Sequence, residues 1–278
     1  MTPGTIEPAH SRDEPRVNLA KIVSIHSFRG GTGKSNTSAN LAVMVAKSGY
    51  RVGIVDTDIQ SPGIHVLFQL DAQRLEHALN DYLWGRCQIE QAAYDVTAAA
   101  IGSADEDSER PRMFLIPSSI DSGDISKVLR EGYDVGLLND GFRRLIRSLN
   151  LDFLFIDTHP GVNEETLLSI AISDLLLLVM RPDNQDFQGT AVTVELARRL
   201  EVDQMLLIVN KVPPGLDPHA LRQKVESTYQ TEVAAILPLN FEIVRMASAG
   251  IFVNRYPDHP FTRGLASVVE RIVKLNSP

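Results

Sequence analysis

The sequence predicts an α/β fold, a mostly parallel twisted sheet with helices on both faces. Three observations predict it. From Lys21 onward, short apolar runs alternate with segments of helical periodicity. Several of those runs are apolar throughout rather than at every second residue, as in strands covered on both sides. A glycine-rich turn separates the first run from the first helix, the setting in which a strand hands a phosphate to a helix N-terminus.

The strands are expected at Ile22–Ser27, Val52–Asp56, Met113–Ile116, Phe153–Asp157, Leu175–Val179, Met205–Asn210 and Val233–Leu237. Helices are expected at Asn36–Lys47, Asp140–Leu149, Glu164–Ile172, Gly189–Leu200 and Asp217–Tyr229. The first carries Leu41, Val45 and Ala46 and stops at Gly49, a natural C-terminal glycine. Residues 71–100 read as a helical insertion with Leu75, Leu79, Tyr82 and Leu83 on one stripe. The acidic stretch between Gly102 and Pro111 reads as a solvated hairpin loop. Residues 1–18, polar and proline-rich, read as a flexible tail that is not a secretory signal, and 19–278 as a single domain.

Composition narrows the classes of function. The chain has 278 residues, enough to bury a core without a disulfide or structural metal. It has one cysteine, Cys87, so an internal disulfide and a four-cysteine zinc site are excluded. Lys+Arg 27 against Asp+Glu 35 gives a net charge of −8, which excludes a basic footprint over the whole surface. No window is apolar enough for a transmembrane helix, so a cytoplasmic protein is expected.

The glycine-rich turn is Phe28-Arg29-Gly30-Gly31-Thr32-Gly33-Lys34-Ser35. Glycines let backbone N–H groups approach phosphate oxygens, and the helix that follows adds partial positive charge. Gly30, Gly31, Thr32, Gly33, Lys34, Ser35 and Asn36 form the expected nucleotide loop. Lys34 would neutralise the β- and γ-phosphates and the Ser35 hydroxyl would ligate Mg²⁺. The strict P-loop pattern is not met, because Phe28 stands at its first glycine.

The R-G-G-T-G-K-S run resembles the deviant Walker A motif, K-G-G-x-G-K-[ST], of the MinD/ParA ATPases. Val55-Asp56-Thr57-Asp58 resembles that family's D-x-D motif, and Asp157-Thr158-His159-Pro160-Gly161 its D-x-P-A-G segment. Asn210-Lys211 stands where the family reads adenine, and Ile236-Leu237-Pro238 resembles its adenine wall. Asn240-Phe241-Glu242 begins the next helix, and Pro257–Val273 resembles its last one. The motifs occur in the family's order from about Lys21 to about Leu275.

The resemblance implies a P-loop ATPase that uses ATP and Mg²⁺, dimerises with ATP, and positions a cargo through partner-stimulated hydrolysis. Asp58 would orient the attacking water. Asp56 would sit near the Mg²⁺ water shell, and Asp157 would contact the Mg²⁺ indirectly, through its bound water. Arg29 replaces the family's signature lysine, keeping its charge while adding a planar fork suited to phosphate; it is expected to act in trans. His159 and Pro160 replace the usual Pro-Ala, which puts His159 near the γ-phosphate, where a hydrogen-bonded structural histidine is the favoured reading. Asn210 offers adenine both a donor and an acceptor. Pro213 stands where the guanine signature needs Asp, so adenine is favoured.

Other classes fit less well. An electron-transfer relative of this fold needs two cysteines per subunit for a shared cluster, and a tyrosine-kinase relative a tyrosine-rich tail. An ATP-binding scaffold or regulatory protein with little hydrolysis is the alternative, disfavoured by the intact Lys34, Asp58 and Asp157. Phe261, Leu265, Val268, Val269, Ile272 and Leu275 form one stripe, read as a core helix rather than a membrane anchor. Arg245, Arg255, Arg263, Arg271 and Lys274 are read as scattered solvated charge rather than a nonspecific DNA surface.

Overall fold

The computed structural model describes residues 20–71, 75–102 and 111–276. The tail expected over residues 1–18 and nearly all of the acidic loop lie outside the described residues. The strands are β1 (Lys21–His26), β2 (Arg51–Asp56), β3 (Tyr94–Asp95), β4 (Arg112–Ile116), β5 (Phe153–Asp157), β6 (Leu175–Met180), β7 (Met205–Val212) and β8 (Val233–Pro238). The longer helices are α1 (Lys34–Lys47), then, past the short α2 (Ile64–Leu67), α3 (Leu79–Leu83) and α4 (Thr97–Ile101), α5 (Ser122–Glu131), α6 (Gly136–Ser148), α7 (Glu164–Ala171), α8 (Asn184–Arg199) and α9 (Pro218–Tyr229). After the short α10 (Phe241–Met246) and α11 (Phe252–Arg255), α12 (Pro260–Lys274) closes the order.

One sheet runs in the order β3-β4-β2-β5-β1-β6-β7-β8. Every neighbouring pair is parallel except β3 with β4. The continuous apolar runs follow from this topology. Every residue of β5 and β6 is buried, because helices cover both faces. Phe153 and Phe155 of β5 join the cluster beneath α1 and α12, while Leu154 and Ile156 face the opposite side, under α6. The expected stripe of α12 is core: Phe261, Leu265, Val268 and Ile272 are buried against β8 and α1. Among the described residues no helix is long and apolar enough to cross a membrane.

The helical insertion over 71–100 is corrected. Its described part holds the short α3, a 3-10 turn at Ile89–Ala92, the two-residue β3 and α4. Gly85, at φ 69°, turns the chain after α3 in a conformation that side chains disfavour. Tyr94 and Asp95 then gain more by pairing with β4 than by continuing a helix. Leu79, Tyr82 and Leu83 are still buried together.

β1 lies between β5 and β6, so the chain reverses its direction of travel across the sheet there. Such a switch point opens a crevice at the carboxyl ends of the strands. Asp56, Asp157, Asn210 and Pro238 all stand at or near those ends.

Candidate functional site

The loop from β1 to α1 builds one wall of the crevice. Gly31 and Gly33 adopt φ 76° and 92°, left-handed conformations that favour glycine. Gly33 is the N-cap of α1, and no side chain caps the helix. Its first N–H groups therefore have no acceptor within the helix and point a partial positive charge into the crevice. A Cβ on Gly33 would lie 2.5 Å from Asn210 Nδ2, so only glycine fits. Asn210 Nδ2 donates to the Thr32 carbonyl at 2.8 Å and Lys211 Nζ to the Gly31 carbonyl at 2.7 Å. The end of β7 thus holds the loop from behind.

Asp157 organises the centre. Its Oδ2 accepts from Ser35 Oγ at 2.7 Å and lies 2.9 Å from Lys34 Nζ. Its Oδ1 accepts from Ser38 Oγ at 2.6 Å. Lys34 Nζ and Thr32 Oγ1 are buried with no aligned hydrogen bond, although the Lys34 ammonium lies against the carboxylate. Buried polar groups of this kind want partners. An uncapped helix N-terminus, a glycine that no side chain can replace, an unaligned ammonium and a hydroxyl on a carboxylate fit a nucleotide triphosphate with Mg²⁺. Lys34 and the loop N–H groups would hold the phosphates, Ser35 would hold the metal, and Asp157 would steady both.

Asp56 is built differently. Its Oδ1 accepts from the N–H of Asp58 at 3.1 Å, and its Oδ2 from the N–H groups of Gly63 and Ile64 at 3.0 and 3.2 Å. Burial, then the charge of Asp157, pushes its carboxyl well above the usual range. Its observed contacts shape the loop after β2. That loop delivers Asp58, whose Oδ1 lies 2.6 Å from His159 Nδ1. Across from this pair Glu165 accepts from Tyr133 Oη and from Asn163 Nδ2. Burial, then the charge of Asp58, pushes the Glu165 carboxyl up to about 7. Behind them His26 Nδ1 donates to Thr158 Oγ1 at 2.7 Å, since that hydroxyl gives its own proton to the Ile25 carbonyl. Burial, then Lys34 and His159, holds His26 down at about 3, a neutral imidazole.

The remaining expected residues are spread along the crevice. Arg29 is half-buried, and its guanidinium donates to Gln185 Oε1 on α8 of the same chain. Phe28 lies flat on α8, where a Cβ at Gly189 would meet the ring at 2.1 Å. Gly30 is exposed, and Asn36 lies half-buried in the first turn of α1, its carbonyl accepting from Asn40 Nδ2. Pro238 lines a largely apolar cleft of about 360 Å³ with Val212, Pro213, Pro214 and Leu239.

The family described as AAA domain matches residues 20–205. The chain belongs to that family. An uncharacterized ATP-binding protein of Methanocaldococcus jannaschii is 25% identical over 92% of this chain and 88% of its own length. The flagellum site-determining protein YlxH of Helicobacter pylori is 26% identical over 78% of this chain and 66% of its own length. The septum site-determining protein MinD of Pyrococcus horikoshii, solved with Mg-ADP, superposes with a TM-score of 0.75 at 20% identity, over 93% of this chain and 98% of that one. That likeness carries the fold. The kinship expected from the motifs, a MinD/ParA-like P-loop protein with a mostly parallel sheet, is met.

Sequence reasoning passed over Ser38, Glu165 and Tyr133, and quoted Lys211 without giving it a role of its own. Ser38 was findable, since it follows Ser35 by one helical turn and faces the same carboxylate. Lys211 adjoins Asn210 in the quoted dipeptide. Nothing local marks Glu165 or Tyr133, which meet across thirty-two residues of chain. Of the C-terminal cations, Arg245 pairs with Glu242 at 3.8 Å, Arg271 pairs with Glu232 at 2.6 Å, and Arg255 lies over the Tyr256 ring.

Proposed function

We propose that this chain is an ATP-dependent dimerisation switch that positions or regulates a cellular cargo, with slow hydrolysis stimulated by a protein partner. The observation that carries the reading is the Lys34–Asp157–Ser35 cluster beneath the uncapped start of α1. Lys34 faces the β- and γ-phosphates, and Ser35 and Asp157 hold the metal side. Mg²⁺, when bound, neutralises charge on the phosphate oxygens. Asp58 orients water, with Asp56 shaping its loop. Asn210 and the Pro238 cleft receive adenine. Arg29 leaves Gln185 to reach the phosphates of a second copy.

The names of the relatives support a positioning role, since YlxH and MinD are described as determining flagellum and septum sites. The MinC:MinD complex of Aquifex aeolicus, similar in fold, supports a protein partner. Equilibrium binding of Mg-ATP and phosphate release test the reading. Lys34→Ala is expected to lose nucleotide binding, whereas Asp58→Ala keeps binding, stops turnover and accumulates as a dimer. Equal affinity and turnover in wild type and Lys34→Ala would overturn it.

A further inference from the structure

The loop after β2 and the segment after β5 meet at a contact that phosphate binding does not require. His159 Nδ1 lies 2.6 Å from Asp58 Oδ1, with both side chains largely buried. A carboxylate oxygen accepts and an imidazole N–H donates, so the contact runs from Nδ1–H to Oδ1. The N–H of Ser61 reaches the same Oδ1 at 3.2 Å. Two donors on one oxygen fix the carboxylate's torsion. No hydrogen bond among the described residues reaches Oδ2, which is left as an acceptor.

The imidazole is itself held on a tethered segment. Thr158 donates from its N–H and its Oγ1 to the Ile25 carbonyl at 3.2 and 3.0 Å. The Gly161 N–H donates to the Ser27 carbonyl at 3.2 Å, at the entrance of the glycine-rich loop. Thr166 Oγ1 donates to the His159 carbonyl at 3.3 Å. Between these ties Pro160 restricts the backbone of His159. The donor to Asp58 is therefore built on the same strand end that carries Asp157 and is anchored to β1. In the D-x-P-A-G segment this position is a proline, which has no side-chain donor; here the chain adds one.

We propose that His159 is a positioning residue for hydrolysis. Its Nδ1–H holds Asp58 Oδ1 so that Oδ2 presents a fixed acceptor to the attacking water. The proposal rests on the reading of Asp58 as the residue that orients that water. Its signature is a loss of kcat without loss of nucleotide affinity, because the phosphates are held elsewhere by Lys34, Ser35 and the loop. A misplacement of about 1 Å at such a group costs up to about 100-fold in rate.

The test is steady-state ATP hydrolysis by the full chain with Mg-ATP, comparing wild type with His159→Ala, His159→Asn and His159→Gln, alone and with Asp58→Asn. His159→Ala is expected to lower kcat about 10–100-fold with KM changed less than about 2-fold. His159→Asn places an N–H where Nδ1–H stands and is expected to restore most of the rate; His159→Gln, with its N–H one carbon farther out, is not. In the Asp58→Asn background His159→Ala is expected to add no further loss, the non-additivity of two groups acting as one. If His159→Ala fails to fold, the Asn and Gln variants decide. Equal rates in Asn and Gln, or multiplying losses in the double variant, overturn the positioning role while leaving the proposed function standing. A wild type that binds Mg-ATP without turning it over overturns both.

Discussion

Asp157 ends β5 and Asp58 follows the neighbouring β2, and the two are held in opposite ways. Asp157 is fully buried, and two hydroxyls and an ammonium surround both its oxygens. Asp58 is held at one oxygen only, by an imidazole and a backbone N–H, with another carboxyl facing it. The first arrangement is complete inside the chain, and it rigidifies the floor on which phosphates would lie. The second is complete only with a further partner on Oδ2. In the proposed function, binding and hydrolysis would thus be separated by how fully their carboxylates are satisfied.

The strongest way to break this comparison is Asp157→Asn. It leaves the buried Lys34 ammonium without its counter-charge, and loss of one member of a buried pair costs about 3–5 kcal/mol. Urea unfolding of the ligand-free chain measures it. Asp58→Asn is expected to change the same midpoint by less than about 1 kcal/mol, as for substitutions that leave no buried charge unpaired. Equal losses would erase the distinction between the two carboxylates.

Next in size is Arg29, which belongs to neither cluster and rests on Gln185. Arg29→Ala is expected to leave ATP binding by the monomer nearly unchanged, to abolish the ATP-dependent dimer in sedimentation, and to lower hydrolysis at least about 100-fold, as for a cation acting in trans. Arg29→Lys restores the charge without the fork and recovers part of both. Normal dimerisation and turnover by Arg29→Ala would leave it a loop residue.

The smallest effect sharpens the Asp58 side. Burial, then the charge of Asp58, pushes the Glu165 carboxyl up to about 7 in the folded chain, against an ordinary value of 4.5. Between those values the folded state holds the extra proton, so its contribution to stability is full below about pH 4.5 and is lost as pH rises through about 7. Thermal midpoints from pH 5 to 8 are expected to fall for wild type relative to Glu165→Gln, by an equivalent of about 1–3 kcal/mol. Parallel curves would mean that burial and the Asp58 charge do not raise the Glu165 carboxyl.

The legible parts of the molecule are those where local pattern and tertiary burial agree. The strands from β1 to β8 were readable to within one or two residues, β3 excepted, because strands covered on both faces must be apolar throughout. Lys34, Ser35 and Asp157 were readable because their spacing is fixed by a turn and a strand end. α5 was not, since none of its residues is buried and its apolar stripe is only Ile125, Val128 and Leu129, although Asp121 caps it at Gly123 and Asp124. α8 starts at Asn184 rather than Gly189, capped by Asp183, because a glycine inside a helix looks like its boundary. The contact of His159 with Asp58 spans 101 residues, and no periodicity encodes such a meeting.

The ring of Phe28 on Gly189 has a mechanical consequence. Two adjacent loop residues grip one helix, but by unlike means: Phe28 is wedged against a bare backbone, and Arg29 is moored by a single side-chain hydrogen bond. Rotation about the arginine's own torsions frees the guanidinium without shifting the ring. In the proposed trans role the wedge would be a pivot and the arginine an arm swinging from it, its reach set by where α8 sits. A methyl group at position 189 would move the pivot, and with it every position the arm can touch.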